Sequence, residues 1–154
     1  MVRLPPTMLG ASIFIPLLLA VCLYAFAFGG RDERIAGAIC ILGTVATLLT
    51  VSPWVSRYSS VEEGLMLVDL AVLAGFVAVA LQSTRFWPLW VAGFQLTTAM
   101  GHALKSVEQD MLPHAYGAAL QFWGYPILLV LAVGTWRRHR RVRRAKAAKA
   151  QGAT

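Results

Sequence analysis

Few residues in this chain combine a reactive side chain with an apolar setting, and those few fall into a pattern. Asp69 interrupts an otherwise apolar run between Gly64 and Ser83. Gln95, Thr98, His102 and Lys105 follow one another at spacings of three, four and three, which places them on one stripe of a helix. His114, Gln121 and Tyr125 recur at seven and four, again on one side. Two imidazoles and a carboxylate suit zinc or a similar divalent ion. Two histidines on facing helices could instead be axial ligands to a haem, with Tyr125 and tryptophans as its wall. A carboxylate beside histidines could also relay protons, because neighbours bring both within reach of physiological pH. The candidate metal set is therefore His102, His114 and Asp69. Around it lies a polar stripe of Gln95, Thr98, Lys105, Gln121 and Tyr125, and a metal ion or haem is the candidate cofactor.

Each residue also has a plainer reading. His102 with Lys105 reads as a polar helix end, and His114 follows Pro113 where a helix starts. Gln95, Thr98 and Gln121 suit hydrogen bonding between helices, and Asp69 can pair with Lys105 or a histidine for packing. The chain has no His-Glu-x-x-His, Cys-x-x-Cys, Gly-Lys-Ser/Thr loop or nucleophile elbow. No catalytic residue is assigned, and the balance is against an enzyme.

The elements that would carry these residues follow from composition. The 154 residues are 58% hydrophobic and 14% charged, with a mean hydropathy of +0.64. A soluble domain carries about a quarter charged residues, so a soluble enzyme, a disulfide scaffold and a disordered chain are excluded. A bilayer core of roughly 30 Å needs about 20 mostly apolar residues per helix. Five stretches qualify, at about 8–28, 34–51, 64–83, 86–105 and 111–136. None alternates with period two, which argues against a membrane barrel. The expected fold is an all-α membrane protein, a bundle of five transmembrane helices over 1–136. A polybasic tail at 137–154 is either disordered or an extension of the fifth helix.

Charge sets the orientation. Eight of the fourteen basic residues lie between Arg137 and Lys149, while the rest of the chain is nearly neutral. A basic cluster directly after a span stays in the cytoplasm, and counting back through five spans places the amino terminus outside. Trp87, Trp90 and Trp136 then sit at the inner interface and Trp54 at the outer. Arg3 dissents. Two rival topologies exist: cleavage of the first span as a signal peptide, or a re-entrant segment 86–105 that does not span fully. Cys22 and Cys40 would lie in the cytoplasmic leaflet, near each other across the first hairpin, as small packing residues. Ala71, Gly75 and Ala78 share one face of the third helix, suited to close approach.

The strings Arg85-Phe86-Trp87-Pro88-Leu89-Trp90 and Trp123-Gly124-Tyr125-Pro126, ending in Gly134-Thr135-Trp136, resemble small polytopic inner-membrane proteins of proteobacteria. The resemblance covers about the last half of the chain. It implies a bacterial inner membrane and brings no catalytic residue with it. The expectation is a small non-enzymatic integral membrane protein, an accessory or subunit of a larger membrane assembly. The alternatives are a metal- or haem-binding redox protein using His102 and His114, or a small proton-linked transporter using Asp69. The expected partners are the lipid bilayer, anionic lipids at the 137–149 tail, and a membrane protein or second copy of this chain. Nucleic acid is not expected, because the tail lacks interleaved aromatics and abuts the membrane.

Overall fold

The computed structural model describes the backbone of residues 6–50, 58–107 and 113–151, and the side chains of 13–50, 64–101 and 122–151. The described residues form five helices and no strand: α1 (Pro6–Phe28), α2 (Arg31–Thr50), α3 (Tyr58–Gln82), α4 (Trp87–Val107) and α5 (Pro113–Gln151).

Two short connections set the geometry at one end. Gly29 and Gly30 join α1 to α2, and Gly29 still donates its N–H to the Ala25 carbonyl at 2.8 Å, closing α1 with a last helical bond. A Cβ on Gly29 would run into the Ala25 carbonyl oxygen and the Glu33 Cβ, so only glycine fits that corner. α2 then starts with Asp32 and Glu33 in its first turn, where carboxylates meet the positive end of the helix dipole. The Glu33 carboxylate reaches back to accept the Gly30 N–H at 2.8 Å, one half of a capping box. Residues 83–86 join α3 to α4, and Pro88 stands in the first turn of α4, where its missing N–H costs nothing.

The helices close into a ring. Each packs against its neighbours in sequence, α1 packs against α5, and α2 touches α5 more lightly. All five contribute to one buried cluster: Leu18, Cys22 and Ala25 from α1, Ala36 and Cys40 from α2, Phe76 from α3, Val91 and Ala92 from α4, and Ile127, Leu128 and Leu131 from α5. Cys22 and Cys40 belong to this cluster; the Cys22 thiol donates across the first hairpin to the Gly37 carbonyl at 3.5 Å, and neither cysteine is in a disulfide.

The small-residue face expected on α3 is corrected. Ala71 and Ala78 are exposed, and α3 instead turns inward Phe76 and Val79, with Val72 packed against the core. Of the three small residues, Gly75 makes the close approach, with the Ile39 side chain 3.1 Å from where its Cβ would stand. Larger side chains make more van der Waals contacts across the helix interface than alanine would, so they take the inner face.

Outside the ring the pattern inverts. Leu23, Leu42, Leu49, Leu67, Leu81, Phe86, Met100 and Leu129 are all more than 60% exposed. Among the described residues two helical segments are long and apolar enough to cross a membrane, Arg31–Thr50 and Gly64–Gln82, with 22% and 11% of their residues buried. The core helix of a water-soluble domain would be mostly buried, so these segments turn most of their apolar surface away from the protein. α5 does not stop at Trp136 but runs on through the basic tail to Gln151.

Candidate functional site

Inside the ring, all five helices line one cavity of about 390 Å³. Its wall is mainly aliphatic and aromatic, with Phe14 and Leu18 from α1, Ile39 from α2, Phe76 from α3 and Ile127 from α5. The polar groups on it are few: Thr44 and Thr47 of α2, Asp69 of α3, and Gln95 and Thr98 of α4. A volume of this order with a few placed polar groups is typical of small-molecule sites.

Asp69 and Gln95 form the centre of that polar patch. The Gln95 amide donates to the Asp69 carboxylate at 3.0 Å and to the Asp69 backbone carbonyl at 3.4 Å. One buried side chain thus ties α4 to both the side chain and the main chain of α3. α3 begins at Tyr58, earlier than the charge pattern suggests, because Ser59 to Glu63 continue the helix rather than break it. Asp69 therefore lies near the middle of α3 as a helix, while the segment apolar enough to cross a membrane still begins at Gly64. Thr98 is buried and donates its hydroxyl to the Phe94 carbonyl at 3.4 Å; Thr44 does the same to Cys40 at 2.9 Å. Both hydroxyls satisfy themselves on their own helix.

The expected site residues divide accordingly. Asp69, Gln95 and Thr98 come together at the cavity. Tyr125 does not line it, and its ring meets Phe14 edge-on at 5.5 Å. The side chains of His102, Lys105, His114 and Gln121 lie outside the described residues. Among the described residues no three His, Cys, Asp or Glu side chains gather as a metal site would require.

A second polar cluster, at the end carrying the α1–α2 and α3–α4 connections, was not singled out by sequence reasoning. Glu33 is only 1% exposed, and besides the Gly30 N–H it accepts from the Arg85 guanidinium at 3.3 Å. Ser83 donates its hydroxyl to Asp32 at 2.7 Å and accepts the Arg85 N–H at 3.1 Å. The first turn of α2 is thereby strapped to the α3–α4 connection. Arg138 of α5 lies against Gly30, occupying the space a side chain there would need. The Gly-x-x-Glu spacing at 30–33 was a readable sign of a helix start. Nothing local pointed to Arg85 as its partner.

No family model, curated protein or solved structure matches this chain.

Proposed function

We propose that this chain is a five-span protein of a bacterial inner membrane, with its amino terminus outside and its basic tail in the cytoplasm. It acts without chemistry of its own, as an accessory or subunit of a larger membrane assembly. The observation that carries the reading is the inverted surface. Large apolar side chains such as Leu23, Leu42, Leu67, Met100 and Leu129 are exposed on every helix, whereas a water-soluble monomer rarely exposes large contiguous apolar patches. Lipid or a partner helix covers such a surface without cost. Purification of the tagged protein in mild detergent with in-membrane crosslinking tests the role. A partner or second copy is expected to co-purify, and a strict monomer with no crosslinked neighbour ends the accessory reading. A reporter fused after Thr154 tests topology; activity only in the periplasm would reverse it.

A second reading is favoured by one contact. Asp69 on the cavity wall, held by Gln95, is the arrangement a small proton-linked transporter uses, since intramembrane carboxylates are costly and mark proton or ion paths. In liposomes with a pH gradient, Asp69→Asn is expected to abolish proton flux. Equal flux from the variant and the parent excludes this reading.

A further inference from the structure

We propose that the outward face of α5 just beyond Trp136 binds the headgroup of a phospholipid that carries more than one phosphate. The inference rests on the membrane reading above and gives it a specific ligand. Because α5 is continuous to Gln151, its side chains can be placed at about 100° per residue. Arg137, Arg140, Arg141 and Arg144 then share one face, and with Trp136 they line a single surface hollow.

At Arg138 and His139 the bundle occupies the opposite face of α5. Arg138 lies against Gly30, and the His139 ring stands edge-on to Phe28 at 4.7 Å. Both are partly buried, whereas Arg137 and every residue from Arg140 to Gln151 are exposed, and of these the four arginines are the ones that line the hollow with Trp136. No Asp or Glu follows Asp110 in the chain. The nearest described acids are engaged elsewhere, Glu33 with Arg85 and Gly30, and Asp32 with Ser83. Among the described residues no acid is left to offset these four neighbouring guanidinium groups.

The order of residues along this face identifies the source of an offsetting anion. Going toward the tail it presents Leu129 and Val133, 65% and 43% exposed, then Trp136, 48% exposed, then the arginines. Apolar, aromatic and cationic groups in that order match the acyl chain, interfacial zone and phosphate of a lipid. The Arg140 guanidinium lies 4.8 Å from the centre of the Trp136 ring, which joins the aromatic and cationic parts by a cation–π contact. Arg137 to Arg144 covers about 10 Å of helix axis. A single phosphate engages one or two guanidinium forks, so four forks over that length fit two phosphates, as in diphosphatidylglycerol.

The test is native mass spectrometry of the full chain in mild detergent, titrated with diphosphatidylglycerol and, separately, phosphatidylglycerol. Arg140→Gln with Arg144→Gln is compared with Arg143→Gln with Lys146→Gln, which removes the same charge from outside the hollow. The first pair is expected to weaken diphosphatidylglycerol binding by about tenfold or more, and the second by about twofold or less. Phosphatidylglycerol is expected to bind the parent protein about tenfold more weakly than diphosphatidylglycerol. Equal losses in the two double variants would mean diffuse attraction and overturn the site. Equal binding of the two lipids would overturn the two-phosphate assignment. Displacement of the lipid by inorganic pyrophosphate at similar concentration would make the ligand a soluble phosphate. Extraction of the protein from membranes by alkaline carbonate would instead count against the membrane reading, independently of the titration.

Discussion

Replacing Glu33 with alanine removes three things at once. The Gly30 N–H loses its acceptor at 2.8 Å, a helix-start contact worth about 1 kcal/mol. The Arg85 guanidinium loses a carboxylate at 3.3 Å. A fully buried pair broken in this way costs about 3–5 kcal/mol, but the Arg85 side chain is 29% exposed and can turn to water, so about 1–2 kcal/mol is the appropriate share. The emptied volume of a side chain only 1% exposed adds about 1 kcal/mol. The expected loss is about 3–4 kcal/mol for Glu33→Ala, whereas Glu33→Gln keeps the shape and the Gly30 acceptor and loses about 1–2 kcal/mol. The assay is the unfolding free energy of detergent-solubilised protein, followed by helical circular dichroism during titration with a denaturing detergent. Arg85→Met completes a double-mutant cycle with Glu33→Gln, and a coupling of about 1 kcal/mol or more is expected. Equal losses for Glu33→Ala and Glu33→Gln, or a coupling indistinguishable from zero, would refute the reasoning.

The same assay checks two further contrasts. Gly29→Ala forces a Cβ into the Ala25 carbonyl and the Glu33 Cβ and is expected to cost about 1–3 kcal/mol, whereas Gly93→Ala meets nothing within 4 Å and is expected to stabilise α4 by about 0.5–1 kcal/mol. Gln95→Leu withdraws the buried donor from Asp69 and is expected to cost about 1–3 kcal/mol; Gln95→Leu made in an Asp69→Leu background should cost less, and an unchanged cost would show that the contact contributes nothing. The metal or haem reading of His102, His114 and Asp69 is checked by elemental analysis of untagged protein. Near-stoichiometric iron or zinc that falls with His102→Ala would support it, and metal-free protein would end it.

The helices were legible because each depends on a local sum. Apolar runs bounded by glycines and charges mark α1 to α5, and the structure has a helix at every one. The boundaries were less legible. Asp32 and Glu33 lie outside the apolar stretch at 34–51, yet they stand in the first turn of α2, because acids at a helix start stabilise it. Ser59 to Glu63 lie outside the stretch at 64–83, yet they extend α3 and carry Asp69 toward the middle of its helix. The stripe of polar residues on α4 was legible from spacing alone, and Gln95 and Thr98 do face inward. The partner of Gln95 was not, since Asp69 lies on another helix and spacing says nothing about which helices touch.

Sequence alone determined the class of architecture: an all-helical, unusually apolar chain with its positive charge gathered at one end. Those properties are sums over neighbouring residues and need no knowledge of the fold. Tertiary structure decided the rest. It closed the ring through α1 and α5, formed a cavity lined by all five helices, and buried Glu33 against Arg85 from a distant connection. It also divided the basic tail, turning Arg138 and His139 toward the first hairpin and Arg137, Arg140, Arg141 and Arg144 away from it. That division exists only because α5 continues as a helix while packed on α1. Periodicity can place four arginines on one face, but only packing determines which face is left open.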